Sequence, residues 1–280
     1  MDLFIEIIKF FIYSIFIVLI AKYILVKILR KLGELLELKP KVIGNIAGVA
    51  TSIPELLTVC FSAVTGLIQT STYNIMSSNI INAIQYIISV VMHKNQNVIK
   101  NKAIKIDLGI VALTIIIPII MITWHVENNI LLVPTFILLL ILCYKITNNA
   151  HKLYMKKESG QVEKDIHKTV EKNKSRRYVT VVVYEIVLLF VGVALYVIGN
   201  LLSEVLQNLC VRFNIPEIII GILLGFITSL PELITFFESQ KHHESEKEGV
   251  IEATSNLLTS NVMNLFVIQS IGIIIYTIFL

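Results

Sequence analysis

The sequence predicts an all-α membrane protein with about eight transmembrane helices. Hydrophobic residues make up 55% of the 280-residue chain and charged residues only 16%, whereas a soluble domain carries about 25% charged residues. The mean hydropathy is +0.78. The apolar residues fall in runs of roughly 20, the length of a helix that crosses a hydrocarbon core of about 30 Å. The runs lack the strict alternation that is typical of membrane β-barrels.

Eight apolar runs are the candidate spans. They cover residues 3–28, 42–69, 74–92, 105–124, 129–146, 179–200, 215–237 and 250–277. The first run has no small-x-small cleavage site, so we interpret it as a retained helix rather than a signal peptide. We expect a first transmembrane half at 1–146, a cytoplasmic polar loop at 147–178 and a second half at 179–280, which is a 5 + 3 arrangement of spans.

The distribution of Lys and Arg supports this count of spans. Basic loops alternate along the chain with nearly uncharged ones, and the stretch 145–177 alone has ten basic residues against four acidic ones. By the positive-inside rule, the N-terminus is predicted to lie outside and the basic loops in the cytoplasm. The chain is thus expected to be a multi-pass protein of the cell membrane, plasma or inner.

Two stretches of the chain repeat each other. Residues 44–58 and 221–235, aligned at an offset of 177, agree at eight of fifteen positions, and both contain Thr-Ser-x-Pro-Glu-Leu. The copies lie in the second and seventh spans, so they cross the membrane in opposite directions. Inverted repeats of this kind place the substrate site of many secondary transporters near the midplane of the membrane.

The repeat continues into the following span of each half. Residues 74–82 and 256–264 agree at four of nine positions, at an offset of 182. In each copy an Asn, a Ser and an Asn are spaced four residues apart, so they share one helix face. The two repeats are predicted to extend over about 42–92 and 215–270, and each pairs a broken helix with a helix that has a polar stripe.

The motif predicts oxygen ligands around a helix break. Pro54 and Pro231 lack an amide hydrogen, which frees the carbonyls of Ala50 and Ile227 four residues earlier. The hydroxyls of the Thr-Ser pairs and a Glu carboxylate lie close by in the sequence. Carboxylate, carbonyl, hydroxyl and amide oxygens suit hard cations such as Ca²⁺ or Na⁺. Gly44, Gly48, Gly221 and Gly225, spaced four apart in each copy, permit close approach of helices.

A charged and empty site would be unfavourable in a membrane. Two carboxylates about 4 Å apart repel each other by about 4 kcal/mol at an effective dielectric of ~20. Cations or protons must therefore neutralise Glu55 and Glu232. A proline kink beside hydroxyls is common in membrane helices, but a buried Glu in each of two inverted copies favours an ion site over a structural kink.

The motifs resemble the α-repeats of the cation/Ca²⁺ exchanger superfamily, and its Na⁺/Ca²⁺ exchanger branch most closely. The matching segments are 50–55 with 77–82, and 227–232 with 259–264. The resemblance implies a helix bundle of inverted repeats in which Glu55 and Glu232 are the main Ca²⁺ ligands. It implies further oxygen ligands for Na⁺ and Ca²⁺ from Thr51, Ser52, Ser78, Asn82, Thr228, Ser229, Ser260 and Asn264, and from backbone carbonyls near Gly48 and Gly225.

The chain departs from the family pattern in three ways. The Gly that precedes Thr-Ser in the family is Ala50 in one copy and Ile227 in the other. The last position of the second repeat, often Asp in Na⁺-coupled members, is Asn264, which leaves two carboxylates in the site. The family has ten core helices, so the two C-terminal ones are expected to be missing. A fragment, a truncated gene and a shorter variant all fit this difference, and lipid or a second copy of the chain would cover the flank.

We interpret the chain as an antiporter that exchanges Ca²⁺ for Na⁺ by alternating access. Two alternatives stay open, namely a proton-coupled Ca²⁺ exchanger and a truncated relative that binds ions or a partner without transporting. Enzymatic activity is not expected, because the sequence has no Gly-rich phosphate loop, zinc spacing or nucleophile–base set. No cofactor and no nucleic acid partner is expected, and the ligands are Ca²⁺, Na⁺ and, in the first alternative, H⁺.

Overall fold

The computed structural model describes residues 3–20, 40–155, 174–242 and 246–279, with Tyr23, Ile24, Lys27, Ile28 and Lys31 as isolated positions. The chain in these ranges is helical and contains no β-strand. The central part of the polar loop, 156–173, lies outside the described residues, as does most of the basic segment between the first two spans.

Twelve α-helices follow one another along the described residues. They are α1 (Leu3–Ile20), α2 (Pro40–Thr51), α3 (Ile53–Val64), α4 (Ile68–Met92), α5 (Gln96–Ile99), α6 (Lys102–Thr123), α7 (Leu132–Met155), α8 (Lys174–Gln207), α9 (Glu217–Thr228), α10 (Leu230–His242), α11 (Glu246–Val262) and α12 (Gln269–Phe279). Two π-helical turns extend α8 (Asn208–Arg212) and join α11 to α12 (Met263–Ile268).

Among the described residues, eight helical segments are long and apolar enough to cross a membrane, which confirms the predicted number. The broken pairs α2–α3 and α9–α10 each count as one span, and so do α11 and α12 with the π turn between them. Many large apolar side chains on the outside of the bundle are exposed, for example Phe4, Leu138 and Phe190. Such a surface requires lipid around it. The chain is thus an integral, multi-pass membrane protein.

The predicted start of the third span is wrong by six residues. We expected a loop at 70–73, between the second and third spans, but α4 already begins at Ile68. The hydroxyls of Ser71 and Thr72 donate to backbone carbonyls, so this polar stretch is satisfied inside the bundle. The turn lies at Gly66, which has a φ of 82°. The bonds from Gly66 N–H to Ala63 O and from Leu67 N–H to Ser62 O close the end of α3 in a Schellman motif.

The predicted end of the sixth span was too early in the chain. We predicted 179–200 for it and a loop at 201–214, whereas α8 runs to Gln207 and continues as a π turn to Arg212. The polar residues of this segment explain the wrong boundary, because two of them are engaged by the bundle. Ser203 is buried, and Asn208 Nδ2 donates to Glu6 Oε2 on α1 at 3.2 Å. The predicted end of the fifth span, at 146, is also too early, since α7 extends to Met155.

The two repeats interlock at the centre of the bundle. Helix α2 of the first copy packs along α11 of the second, and α9 of the second packs along α4 of the first; these are the most extensive helix contacts of the described residues. Within each copy, α3 packs on α4 and α10 packs on α11. Each stripe helix is thus held between one half of its own broken helix and one half of the other.

Glycines allow this close contact. A Cβ on Gly48 would lie 2.7 Å from the carbonyl oxygen of Asn256, and a Cβ on Gly225 would lie 2.6 Å from that of Asn74. Gly44 and Gly221, one turn earlier, face the carbonyls of Glu252 and Thr70 in the same way. The backbones of the broken helices therefore touch the backbones of the stripe helices, as the spacing of four residues predicts.

The remaining long helices form the outer layers. Helices α1 and α8 pack together on α3 and α9, around the apolar cluster of Phe10, Leu206 and Leu224. Helices α6 and α7 lie on the opposite part of the bundle, where α6 contacts both stripe helices α4 and α11. This second cluster includes Phe136 and Phe266. The buried polar side chains of the two repeats lie between the clusters.

Candidate cation-binding site

Both broken helices are interrupted inside the bundle, at the Thr-Ser pair. Helix α2 ends at Thr51 and α3 begins at Ile53, with a proline at the second position of α3. Helices α9 and α10 show the same break between Thr228 and Leu230. Proline is tolerated in the first turn of a helix, where its missing amide has no partner to lose. The break therefore places the N-terminal turns of α3 and α10, and the Glu that each contains, in the interior.

Glu55 and Glu232 are fully buried and have matching surroundings. Ser78 Oγ donates to Glu55 Oε1 at 2.7 Å. Ser260 Oγ donates to Glu232 Oε1 at 3.0 Å. Within the described residues, the second oxygen of each carboxylate, Oε2, receives no hydrogen bond. Each Glu is thus held at one oxygen by its own stripe helix and keeps the other oxygen available.

Two serine pairs link the copies to each other. Ser52 Oγ lies 3.1 Å from Ser260 Oγ, and Ser229 Oγ lies 2.9 Å from Ser78 Oγ. In each pair, one serine belongs to a Thr-Ser break and the other belongs to the stripe helix of the opposite half. The serine that holds the carboxylate of one copy therefore also contacts the helix break of the other copy.

Four asparagines form a second connection between the stripe helices. Asn82 Nδ2 donates to Asn261 Oδ1 at 3.2 Å, and Asn264 Nδ2 donates to Asn79 Oδ1 at 3.1 Å. The backbone carbonyl of Asn79 also accepts from Asn261 Nδ2 at 3.1 Å. Because the amide groups of Asn82 and Asn264 point to their partners, the Oδ1 atom of each is left without a donor.

The other predicted ligands surround this centre. Thr51 and Ser52 donate to the carbonyl of Gly48, at 3.2 and 2.9 Å. Ser229 Oγ donates to the carbonyl of Gly225 at 2.7 Å. The Gly48 and Gly225 carbonyls, which we expected as ligands, therefore bond to hydroxyls in this structure. Thr228 Oγ1 is 3.5 Å from Asn74 Oδ1, at the limit of a hydrogen bond. Ala50 and Ile227, which carry the carbonyls freed by the prolines, are both buried.

Sequence reasoning missed two pairs of residues at the site. Asn79 and Asn261 join the stripe helices, and Thr58 and Thr235 hold the first Asn of each stripe. Thr58 Oγ1 accepts from Asn74 Nδ2 at 2.6 Å, and Thr235 Oγ1 accepts from Asn256 Nδ2 at the same distance. All four residues are identical between the copies in their paired positions, and that identity was the signal that could have identified them.

The arrangement leaves a set of buried acceptors. The side-chain oxygens without a donor include Glu55 Oε2, Asn82 Oδ1, Glu232 Oε2, Asn256 Oδ1 and Asn264 Oδ1. Among the hydrogen bonds of the described residues, no Lys, Arg or His reaches these atoms. Buried polar atoms are normally paired, and carboxylate and amide oxygens are the ligands that hard cations prefer. Chemically, the site is suited to bind a cation of the Ca²⁺ or Na⁺ type.

Comparison with known proteins agrees with this chemistry. The family model described as sodium/calcium exchanger protein matches residues 7–147 and 184–279, which together make up most of the chain. Both copies of the repeat fall within these ranges. No curated protein and no solved structure matches the chain. On the strength of the family match, the resemblance inferred from the motifs is confirmed, and the chain belongs to the sodium/calcium exchanger family.

Proposed function

We propose that the chain exchanges Ca²⁺ for Na⁺ across the membrane, at the site formed by the two copies of the Thr-Ser-x-Pro-Glu motif. The observation that carries this proposal is the set of buried oxygens without donors around Glu55 and Glu232. Family membership supports cation exchange in general. The coupling to Na⁺ is the more specific part, and it depends on the resemblance of the motifs to the Na⁺/Ca²⁺ branch.

Charge balance gives a reason for exchange instead of simple leakage. Glu55 and Glu232 are both fully buried. Ionised carboxylates in a low-dielectric interior require neutralisation. One Ca²⁺ or two Na⁺ would supply two positive charges. If only the neutralised site changes its access from one side of the membrane to the other, then outward movement of one ion species requires inward movement of another.

The matched geometry of the copies supports alternating access. Each carboxylate is held by a serine of its own stripe helix, and that serine contacts the break of the opposite copy. We infer that the copies form an inverted repeat, in which a movement of one copy relative to the other opens the site to one side or the other. The broken helices are the elements that we expect to move.

Transport should be measured with the full chain reconstituted in liposomes. We expect ⁴⁵Ca²⁺ uptake that is driven by an outward Na⁺ gradient. Glu55→Gln and Glu232→Gln each remove one of two buried charges while keeping the shape of the side chain, so each should reduce uptake about 100-fold or more. Glu204→Gln is the matched control, because Glu204 is an exposed carboxylate on α8. Uptake that is unchanged in both site variants would exclude this site.

A second arm of the assay separates Na⁺ from H⁺ coupling. An unpartnered Oε2 atom on each Glu could also accept a proton, so a proton-coupled exchanger is the alternative. Uptake driven by a pH gradient in the absence of Na⁺ would favour this alternative. Equilibrium ⁴⁵Ca²⁺ binding by the purified protein without any uptake would instead indicate an ion-binding protein that does not transport.

A further inference from the structure

Helix α6 has a backbone carbonyl beside the stripe helices that receives no hydrogen bond from its own helix ladder. Pro118 lies inside α6, is buried and has no amide hydrogen. The carbonyl of Thr114, four residues earlier, therefore loses its partner within the helix. In the hydrocarbon region of a membrane, such a carbonyl must find another donor.

Asn79 is that donor. Its Nδ2 lies 3.1 Å from Thr114 O and 3.3 Å from Asn261 O. The side-chain amide has two protons, and these two bonds use both of them. Asn79 and Thr114 are fully buried. The orientation of the Asn79 side chain is thus fixed by a carbonyl that belongs to neither copy of the repeat.

The orientation of Asn79 is passed on to Asn264. With its Nδ2 directed at Thr114, Asn79 presents Oδ1 to Asn264 Nδ2 at 3.1 Å. Asn264 Nδ2 also reaches Ser78 Oγ at 3.4 Å. Because its amide nitrogen is held on this side, Asn264 keeps Oδ1 as an acceptor without a donor. A rotation of Asn79 would instead turn an amide group toward Asn264 and release it.

Among the described residues, the second copy has no equivalent anchor. Asn261 Nδ2 donates to Asn79 O at 3.1 Å, and in the described part of the chain this is its one side-chain donor bond. Its Oδ1 accepts from Asn82. Only one of its two amide protons is therefore used, whereas both protons of Asn79 are used. The Asn264 side of the site is held more firmly than the Asn82 side.

We propose that Pro118, by freeing the carbonyl of Thr114, makes α6 a positioning element for the cation ligand Asn264. The proposal rests on the proposed function, because Asn264 must contact the cation. Restoring an amide at position 118 returns Thr114 O to the helix ladder and releases Asn79. Cation binding then weakens although the helix itself becomes more regular.

The test is Pro118→Ala in the full chain. We expect the Kd of equilibrium ⁴⁵Ca²⁺ binding to rise about two- to tenfold, the effect of losing one hydrogen bond. The thermal unfolding midpoint should be equal to or above that of the wild type, because an interior proline is removed. A purely structural role of Pro118 would instead change affinity and stability in the same direction. In liposomes, we expect the Ca²⁺ concentration for half-maximal uptake to rise, while the uptake rate at saturating Ca²⁺ stays the same.

Pro134→Ala is the matched control. Pro134 lies in the first turn of α7, where an amide has no helical partner in any case. The Pro134→Ala variant should bind Ca²⁺ with the same Kd as the wild type. An equal rise in both proline variants, or no rise in Pro118→Ala, would overturn the proposal. If the alanine variant does not fold, Pro118→Gly restores the same amide and is subject to the same criteria.

A double-mutant cycle tests the route through Asn79. In an Asn79→Ala background, Pro118→Ala should change the Kd no further, because the connecting side chain is absent. Additive effects would contradict the proposed route. A wild-type protein that neither binds nor transports Ca²⁺ would contradict the proposed function itself, whereas an active wild type with an unaltered Pro118→Ala variant would contradict the positioning role alone.

Discussion

The two copies of the motif agree closely at the carboxylates and differ in the structure that surrounds them. Ser78 binds Glu55 as Ser260 binds Glu232, and the serine bridges between the copies also correspond. The copies differ in the asparagines that lie next to these serines. Asn79 is attached to α6, while its counterpart Asn261 bonds only to the first copy in the described structure.

A second difference lies just beyond the stripe. The turn Met263–Ile268 is π-helical, whereas the corresponding residues of the first copy, 81–86, belong to the regular helix α4. An extra residue in a turn rotates the following residues by about 100°. At the repeat position that follows this turn, Ile87 is 56% exposed and its counterpart Gln269 is fully buried. Gln269 Nε2 donates to Thr72 Oγ1 at 2.9 Å.

The two copies provide the same residues around the carboxylates, but the two ends of the site are not equivalent. In the proposed mechanism, the inner residues bind the same ion from both sides, which fits their matching contacts. The outer residues set how far each ligand can rotate or move, and these differ. Variants made in pairs, one in each copy, separate the two effects.

The largest effect is expected at the glycine contacts. A Cβ in Gly225→Ala would overlap with Ser77 Oγ and would lie 2.6 Å from the backbone oxygen of Asn74. In Gly48→Ala the nearest atom would be 2.7 Å away. Backbone atoms cannot move aside cheaply, so we expect a loss of stability at or above the upper end of about 1–3 kcal/mol, larger for Gly225→Ala. The measurement is the thermal unfolding midpoint of the purified protein.

Gly109→Ala is the control for the glycine pair. A Cβ at Gly109 would meet no atom within 4 Å, and alanine favours a helix over glycine. The midpoint should stay the same or rise. A decrease as large as that of Gly225→Ala would show that contact between the helices is not the cause.

The next effect concerns the last Asn of each stripe. Asn264→Asp replaces a donor by an acceptor opposite Asn79 Oδ1, and the bond to Thr114 prevents Asn79 from rotating. Asn82→Asp creates the same conflict with Asn261, which has no such anchor in the described structure and can rotate. We expect Asn264→Asp to lose about 1–3 kcal/mol of stability, the cost of an unmatched buried polar group. Asn82→Asp should lose clearly less.

Unfolding midpoints and ⁴⁵Ca²⁺ affinities of both variants would show the difference. Each variant adds a third carboxylate to the site, which favours cation binding. Asn82→Asp should therefore bind Ca²⁺ more tightly than Asn264→Asp. If both variants lose equal stability, the anchoring of Asn79 has no consequence for the site.

Much of this site was predictable because its chemistry is local in sequence. Thr-Ser-x-Pro-Glu places a helix break beside a carboxylate in each copy, and the spacing of four residues predicts one polar face for Asn74, Ser78 and Asn82. Asn79 escaped the prediction because it lies outside that face. Its Nδ2 donates to Thr114 O in a different helix, a contact that no periodicity of the sequence predicts.

The wrong boundaries have related causes. Thr70-Ser71-Thr72 has the composition of a loop, but its hydroxyls are satisfied within the bundle, so the helix begins earlier. The π turn at 263–268 has no distinctive composition. The crossed packing of α2 on α11 and of α9 on α4 depends on contacts between distant segments. The glycine spacing predicted that close contacts would form, and it did not specify with which helix.

The smallest effect is expected at the threonines that hold the first Asn of each stripe. Thr58→Val and Thr235→Val keep the shape of the side chain and remove the hydroxyl bonded to Asn74 or Asn256, a change of about 1 kcal/mol. Asn74 retains a second contact, from Thr228 at 3.5 Å, whereas Asn256 Oδ1 has no donor. Thr235→Val should therefore raise the Kd for Ca²⁺ more than Thr58→Val does. Thr123→Val, which removes an exposed hydroxyl bonded only within α6, should leave the Kd unchanged, and a larger effect at Thr58 than at Thr235 would show that the long contact from Thr228 does not hold Asn74.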